Sequence, residues 1–219
     1  MRHAPEFAIA TLEIEGESRL TEAEISACAG IALGDNVFSR SIEEVRAGLS
    51  THPWIAEATV ERRLPSTFRI EIRERVPAAI LSLETPYLVS DEGAVFKTLE
   101  AGDPVDLPII TGISGQRFFA ERTYRTQLLT SIVGLLSEWQ SAGMSRRESV
   151  SEVHVEPDES LTLFVGDDGT EVRLGVGPYR GKIERLRRVL DELSTRRARP
   201  LYVYLDNVQR PDRVTVRVR

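Results

Sequence analysis

The side chains able to carry out chemistry are few in this sequence of 219 residues, and they are scattered. The histidines His3, His52 and His154 fall in separate predicted elements and lack the close spacing of metal ligands. Cys28 is the only cysteine, and its small apolar neighbours favour a buried helix residue over a reactive thiol. None of these residues belongs to a recognisable nucleophile–base motif. The sequence therefore predicts no metal site, no cofactor and no catalytic centre, as expected of a protein that is not an enzyme.

Two glycine-containing segments look like ligand sites but are better explained as connections. GDDG at 166–169 has two adjacent carboxylates, yet it lacks the ligand pattern of an EF-hand and is typical of a hairpin turn. GVGP at 175–178 lacks the Gly-Lys-Ser/Thr of a phosphate loop, and a helical pattern follows it. We therefore expect a turn at the first segment and a helix entry at the second.

Composition and charge exclude several classes of protein. Hydrophobic residues at 41% and charged residues at 28% are typical of folded globular chains. The net charge of −6 provides no basic footprint for nucleic acid. No run approaches the roughly 20 consecutive apolar residues that a membrane-spanning helix requires. As given, the chain is expected to be soluble.

The first third of the chain predicts a small α+β unit in the order strand, helix, helix, strand, strand. Each helix begins with a capping box, Thr21 with Glu24 and Ser41 with Glu44, in which two side chains satisfy free helix amides reciprocally. The last strand alternates apolar with charged residues, which indicates one buried and one solvated face. The apolar residues of that strand are Phe68, Ile70 and Ile72.

The rest of the chain predicts a larger, mixed β-domain with two main helices. A hairpin is expected over 87–96, and a short strand over 106–112 that its Pro108 confines to a sheet edge or to a strand start. Apolar residues at helical spacing predict helices over 122–140 and 182–193. The remaining predicted strands are 151–156, 161–165, 171–174, 201–205 and 213–219.

Several motifs, in this order, resemble one family over essentially the whole chain. Asn-Val-Phe at 36–38, Pro-Trp-Ile at 53–55 and Pro-Ser-Thr-Phe at 65–68 resemble a POTRA domain, most closely that of the bacterial cell-division family FtsQ/DivIB. The segments 87–96, 107–112 and 211–217 are similar to the β-domain of the same family. The resemblance implies a POTRA domain over 1–78 and an FtsQ-type β-domain over 79–219.

The same resemblance implies a role in division. It implies a divisome scaffold in which the last helix and the last strand receive an FtsB/DivIC-type subunit joined to FtsL, while the POTRA domain contributes to localisation and to other divisome contacts. Such proteins are held in the inner membrane by one helix before the POTRA strand, with the remainder extracytoplasmic at the septum. This sequence departs from the family in lacking that helix, and also at Leu205-Asp206-Asn207-Val208, where Asp-Leu-Arg is usual.

The candidate binding residues lie in the last helix and the last strand. An exposed strand edge can accept a partner strand through main-chain hydrogen bonds, and arginines on the neighbouring helix can bind carboxylates. The predicted partner-binding residues are Arg180, Arg185, Arg187, Arg188, Arg213, Val214, Thr215, Val216, Arg217 and Val218.

Plainer interpretations stay open at this stage. Arginines that alternate with valines also protect an edge strand from unwanted pairing, and a basic helix face can simply be solvated. A different functional class, a POTRA-bearing factor for polypeptide transport or outer-membrane assembly, would carry several POTRA repeats in tandem, and the sequence contains one such unit.

Overall fold

The computed structural model describes residues 7–207, 209–210 and 212–218. His3, Val208, Pro211 and Arg219, which enter the expectations above, lie outside these residues. Contacts between residues divide the chain into two units, the first ending at Val76 and the second beginning at Pro77.

The first unit has two helices and a three-stranded sheet. Its elements are β1 (Thr11–Glu15), α1 (Glu22–Ala29), α2 (Ile42–Ser50), β2 (Ile55–Arg63) and β3 (Thr67–Glu74). β3 lies in the middle of the sheet, parallel to β1 and antiparallel to β2. Both predicted capping boxes are present at the starts of α1 and α2. The strand–helix–helix–strand–strand order predicted from the sequence is confirmed.

The two helices of the first unit approach each other at a glycine. A Cβ atom on Gly48 of α2 would lie 2.3 Å from the carbonyl oxygen of Cys28, at the end of α1. Such a distance is far below van der Waals contact, so only glycine permits this approach. Cys28 is partly rather than fully buried, in contrast to the sequence expectation, because the buried side of α1 is formed by Ile25 and Ala29.

The second unit is built on one nine-stranded sheet. Its strands lie side by side in the order β12-β11-β10-β9-β8-β7-β4-β5-β6. The strands are β4 (Pro77–Leu81), β5 (Tyr87–Ser90), β6 (Val95–Thr98), β7 (Ile109–Thr111), β8 (Val150–Val155), β9 (Leu161–Val165), β10 (Thr170–Gly175), β11 (Pro200–Tyr204) and β12 (Thr215–Val218). The outermost described strands are thus β12 at one end and β6 at the other.

Two long helices provide the apolar layer of this unit. α4 (Arg122–Ser141) and α5 (Arg180–Thr195) correspond to the two main helices predicted from the sequence. Both contribute to one core cluster with residues of seven strands. Trp139 of α4 lies in this core and donates its indole hydrogen to the carbonyl oxygen of Glu148 at 3.0 Å. The apolar side of α5 is buried in the same core, and this burial holds the helix against the sheet.

The structure adds elements that periodicity did not predict. α3 (Gly115–Ala120) and a 3₁₀ turn at Met144–Arg146 are too short to produce a helical pattern. β4 was also missed, and its first residues, Pro77 and Ala78, fall within the predicted first domain. β7 lies between β4 and β8 and so is not an edge strand. Pro108 precedes β7, so the strand-start alternative is correct.

The close approach at Gly48 yields a stability prediction with an unusual sign. Alanine normally stabilises a helix interior by about 1 kcal/mol relative to glycine. In Gly48→Ala the new methyl group must instead displace the Cys28 carbonyl, so we expect a loss of about 1–3 kcal/mol in the first unit. Gly134→Ala, in α4, is the matched control and should gain up to about 1 kcal/mol, because beyond the neighbouring backbone of α4 itself no atom lies within 4 Å of the new Cβ.

Urea unfolding of the fluorotryptophan-labelled protein measures both effects. Trp54 reports on the first unit and Trp139 on the second, so the ¹⁹F signals separate the two transitions. A Gly48→Ala variant as stable as the parent protein would refute the steric argument.

Candidate functional site

β12 is the outermost strand of the nine-stranded sheet. It pairs with β11 in antiparallel register, with Val216 opposite Val203 and Arg217 opposite Tyr202. No strand among the described residues pairs with its other side. The amides and carbonyls on that outer side are therefore available to a partner strand.

Side chains of β12 and of the residue before it alternate between core and solvent. Val214 and Val216 pack against the core cluster, whereas Thr215 and Arg217 are exposed. Val218, at the end of the described strand, is 46% exposed. Core packing by alternate residues determines which face of β12 is inward, because a shift of one residue would bury Thr215 and Arg217.

α5 lies beside this edge with an apolar side and a basic side. Ile183, Leu186 and Leu190 are buried and anchor the helix. Arg185 and Arg188 lie one turn apart on another face. Each guanidinium donates through Nε to a carbonyl oxygen of the helix itself, Arg185 to Gly181 at 3.1 Å and Arg188 to Glu184 at 3.4 Å. Neither arginine has an ion-pair partner among the described residues, so both can bind a carboxylate from outside.

An open groove runs between α5 and the chain leading into β12. Its walls bring together side chains from the two predicted binding segments, the helix contributing Arg185, Arg188 and Val189 and the other side Asp212 and Val214. The groove therefore combines two apolar side chains, Val189 and Val214, with two guanidinium groups. Asp212 and Glu184 add negative charge at the same place.

The other predicted arginines are not part of this groove. Arg187 is exposed, and its position two residues from Arg185 places it about 200° round the helix. Arg180 is also exposed and lies 3.6 Å from Glu184. Arg213 lies before β12 and belongs to a turn, in which its amide donates to the carbonyl oxygen of Arg210 at 2.9 Å. The last strand consequently begins two residues later than predicted.

Lys182 supports the groove, a role that the sequence analysis missed. Its Nζ donates to the carbonyl oxygens of Leu174, at 2.5 Å, and Val176, at 2.7 Å, and so joins the first turn of α5 to the end of β10. Burial and the neighbouring charge of Arg185 lower the pKa of Lys182, whereas Asp206 acts in the opposite direction. A lysine in a predicted helix start carries no sequence signal for such a contact, because the carbonyls belong to another element, the end of β10, and to the residue just after it.

Tyr179 anchors the start of α5 from the other side. Its hydroxyl lies 2.9 Å from Ser131 Oγ on α4, and burial raises its pKa. Together with Lys182, this contact holds the first turn of α5, and hence the arginines of the groove, in a defined position.

The histidines and the two glycine-containing segments, which were considered as possible ligand sites, have structural roles. His52 Nδ1 accepts a hydrogen bond from the Trp54 amide at 3.3 Å, and His154 in β8 lies 2.7 Å from Thr111 Oγ1. GDDG forms the turn between β9 and β10, and GVGP leads into α5, as predicted. Within the described parts of the chain, no group of histidine, cysteine and acidic residues is arranged to hold a metal ion.

Comparison with known families covers both units. A family model for the FtsQ-type POTRA domain matches residues 7–75. A model for the C-terminal part of cell division protein FtsQ/DivIB matches residues 79–209, more than half of the chain. The chain belongs to the FtsQ/DivIB family. The resemblance and the α+β fold class inferred from the sequence are thereby confirmed.

Individual relatives are similar over nearly the whole chain. The cell division protein FtsQ of Anaeromyxobacter sp. (strain K) is 40% identical over 207 residues, which are 94% of this chain and 70% of that protein. FtsQ of Myxococcus fulvus is 31% identical over 98% of this chain and 75% of its own length. The cell division protein DivIB of Geobacillus kaustophilus is 28% identical over 82% of this chain and 66% of its own length.

Membership of the FtsQ/DivIB family assigns the chain to cell division and favours this role over the transport alternative.

None of the helices in the described ranges is both long enough and apolar enough to cross a lipid bilayer.

The contacts of Lys182 lead to a prediction about the groove's support. Lys182→Met keeps the length of the side chain but leaves the Leu174 and Val176 carbonyls without their donor, so we expect the second unit to lose about 1–3 kcal/mol. Arg187→Met, exposed on the same helix, should change stability by less than about 0.5 kcal/mol. The ¹⁹F signal of Trp139 during urea unfolding measures both variants; equal stabilities would contradict the supporting role.

Proposed function

We propose that this chain is a non-enzymatic scaffold of the divisome that binds an FtsB/DivIC-type subunit, joined to FtsL, and helps to recruit both to the division septum. The partner adds a β-strand to the outer side of β12. The observation that carries the proposal is the unpaired side of β12 next to the groove of α5, where Arg185 and Arg188 have no ion-pair partner among the described residues.

Main-chain pairing alone provides limited affinity. Each intermolecular hydrogen bond contributes about 0.5–1.5 kcal/mol net, and association itself costs at least about 4 kcal/mol. A strand as short as β12 offers few such bonds, so side-chain contacts are needed as well. In our proposal the groove provides these contacts.

The groove supports a partner segment with two kinds of side chain. Alternate residues of an added strand face the same side as Val214 and Val216, so apolar side chains there would extend the core. Carboxylates that reach α5 would pair with Arg185 and Arg188, whose planar guanidinium groups suit bidentate binding. The partner strand is therefore expected to alternate apolar residues with polar ones and to carry acidic residues near α5.

In this proposal the chain is the extracytoplasmic part of a single-pass inner-membrane protein at the septum, anchored by a helix outside the given sequence. The POTRA unit contributes to localisation and to further divisome contacts. Its sheet has outer strands of its own, β1 and β2, but its charged side chains are largely paired with one another, as in Arg69 with Glu15 and Arg73 with Glu57. We therefore assign the principal binding site to β12.

Charge reversal in the groove tests the contribution of α5. Replacing both Arg185 and Arg188 by Glu should weaken binding of the partner's extracytoplasmic segment at least tenfold, because attraction to its carboxylates becomes repulsion. Isothermal titration calorimetry measures the affinity, and the difference should shrink as salt is raised. Arg187→Glu tests position on the helix, since Arg187 lies outside the groove, and should change affinity less than about threefold. If Arg187→Glu weakens binding as much per substituted residue, the groove is not the determinant.

Proline substitution tests the pairing itself. Successive residues of a strand direct their amides to opposite sides, so either Val216 or Arg217 donates outward and the other donates to β11. Proline has no amide hydrogen to donate. Of Val216→Pro and Arg217→Pro, the one that removes the donor to β11 should destabilise the second unit. The other should preserve its stability but weaken partner binding by about threefold or more, because it removes an outward donor. Full affinity in the stable variant would exclude strand addition at β12.

A further inference from the structure

A second cleft lies near the opposite end of the nine-stranded sheet. It has a volume of about 640 Å³ and is formed by the β4–β5 loop and the face of α3. Its apolar walls are Leu83, Tyr87, Ile113 and Phe119. β4 is six strand positions from β12, or about 29 Å at 4.8 Å per strand. The cleft is therefore separate from the groove beside α5.

The most exposed wall of the cleft is held in place by its neighbours. Phe119 is 56% exposed, although it is one of the largest apolar side chains in the protein. Its ring packs edge-on against Tyr87, with centroids 6.1 Å apart, and against Phe118, with centroids 5.5 Å apart. Phe118 is fully buried and anchors α3 in the core. Phe119 therefore forms a preorganised aromatic wall that a ligand can bury at little conformational cost.

The charge at the rim of the cleft indicates the kind of ligand. Glu84 is the only charged residue that lines it. Glu84 is exposed and makes no hydrogen bond or ion pair with any other described residue. Ser82 and Thr85 beside it add hydroxyl groups. An apolar side chain flanked by a basic one would bury Phe119 and pair with Glu84.

We infer that this cleft is a second docking surface, which binds a peptide segment of another protein through one large apolar side chain next to a lysine or arginine. The aromatic wall accounts for the apolar anchor, and Glu84 accounts for the basic neighbour. The surface does not depend on strand addition at β12, so one chain can hold two partners at once.

Short peptides provide a direct test with the full chain. The probe is acetyl-Gly-Phe-Lys-Gly-amide, compared with peptides in which Glu replaces its Lys or Ala replaces its Phe. Titration into ¹⁵N-labelled protein should shift the amide signals of Gly115, Gln116 and Phe119. The Phe–Lys peptide should bind about threefold more tightly than the Phe–Glu peptide. It should bind at least tenfold more tightly than the Ala–Lys peptide.

Two variants separate the two parts of the interaction. Phe119→Ala should abolish the shifts, and Glu84→Gln should retain binding of the Phe–Lys peptide but lose its preference over the Phe–Glu peptide. Val105→Ala, at a residue 70% exposed elsewhere in the same unit, and Asp91→Asn, in an exposed turn, are the matched controls and should change neither result. The ¹⁹F signal of Trp139 verifies that each variant is folded. Should Phe119→Ala disturb that signal, Glu84→Gln still decides the charge preference.

Three results would overturn the inference. The peptides could bind without shifting signals at the cleft, or the preference for lysine could be absent from the parent protein. Alternatively, sedimentation could reveal a concentration-dependent dimer that Phe119→Ala abolishes, in which case a second copy of the chain is the occupant.

Discussion

The second unit depends on a property of every open sheet, which is that its last strand has hydrogen-bonding groups that no other strand satisfies. The core supports nine strands in order, with α4 and α5 packed against residues of both the early and the late ones. Adding strands moves the unpaired edge but never removes it. Within the described part of the chain the edge at β12 is open, and beside it lies a helix on which Arg185 and Arg188 have no ion-pair partner. The proposed binding site is therefore a consequence of how the sheet ends.

The position of α5 depends on contacts at its first turn as much as on its apolar side. Lys182 attaches that turn to the end of β10, and Tyr179 attaches it to α4 through Ser131. These contacts restrict how the helix can rotate or slide over the sheet. Because Arg185 and Arg188 follow within two turns, their placement beside β12 depends on the same contacts.

Much of this architecture could be predicted from the sequence. The capping boxes at Thr21 and Ser41 specified where α1 and α2 begin, because each cap acts over three residues. The long apolar patterns of α4 and α5 were equally clear. The expectations that failed concern short elements or contacts with distant residues. α3 has too few residues to show a period, and Cys28 is only partly buried because the buried side of α1 is the one that carries Ile25 and Ala29.

By itself, the sequence determined the family resemblance, the order of elements in the first unit and the two segments that form the candidate site, since these follow from local patterns. Only the tertiary structure decided which arginines of α5 line the groove beside the chain leading into β12, that Arg187 does not, and that Lys182 supports the groove. It also brought Leu83, Ile113 and Phe119 together around Glu84. The physical reason is that helical spacing specifies faces of one element, whereas packing between elements distant in the chain determines what each face meets.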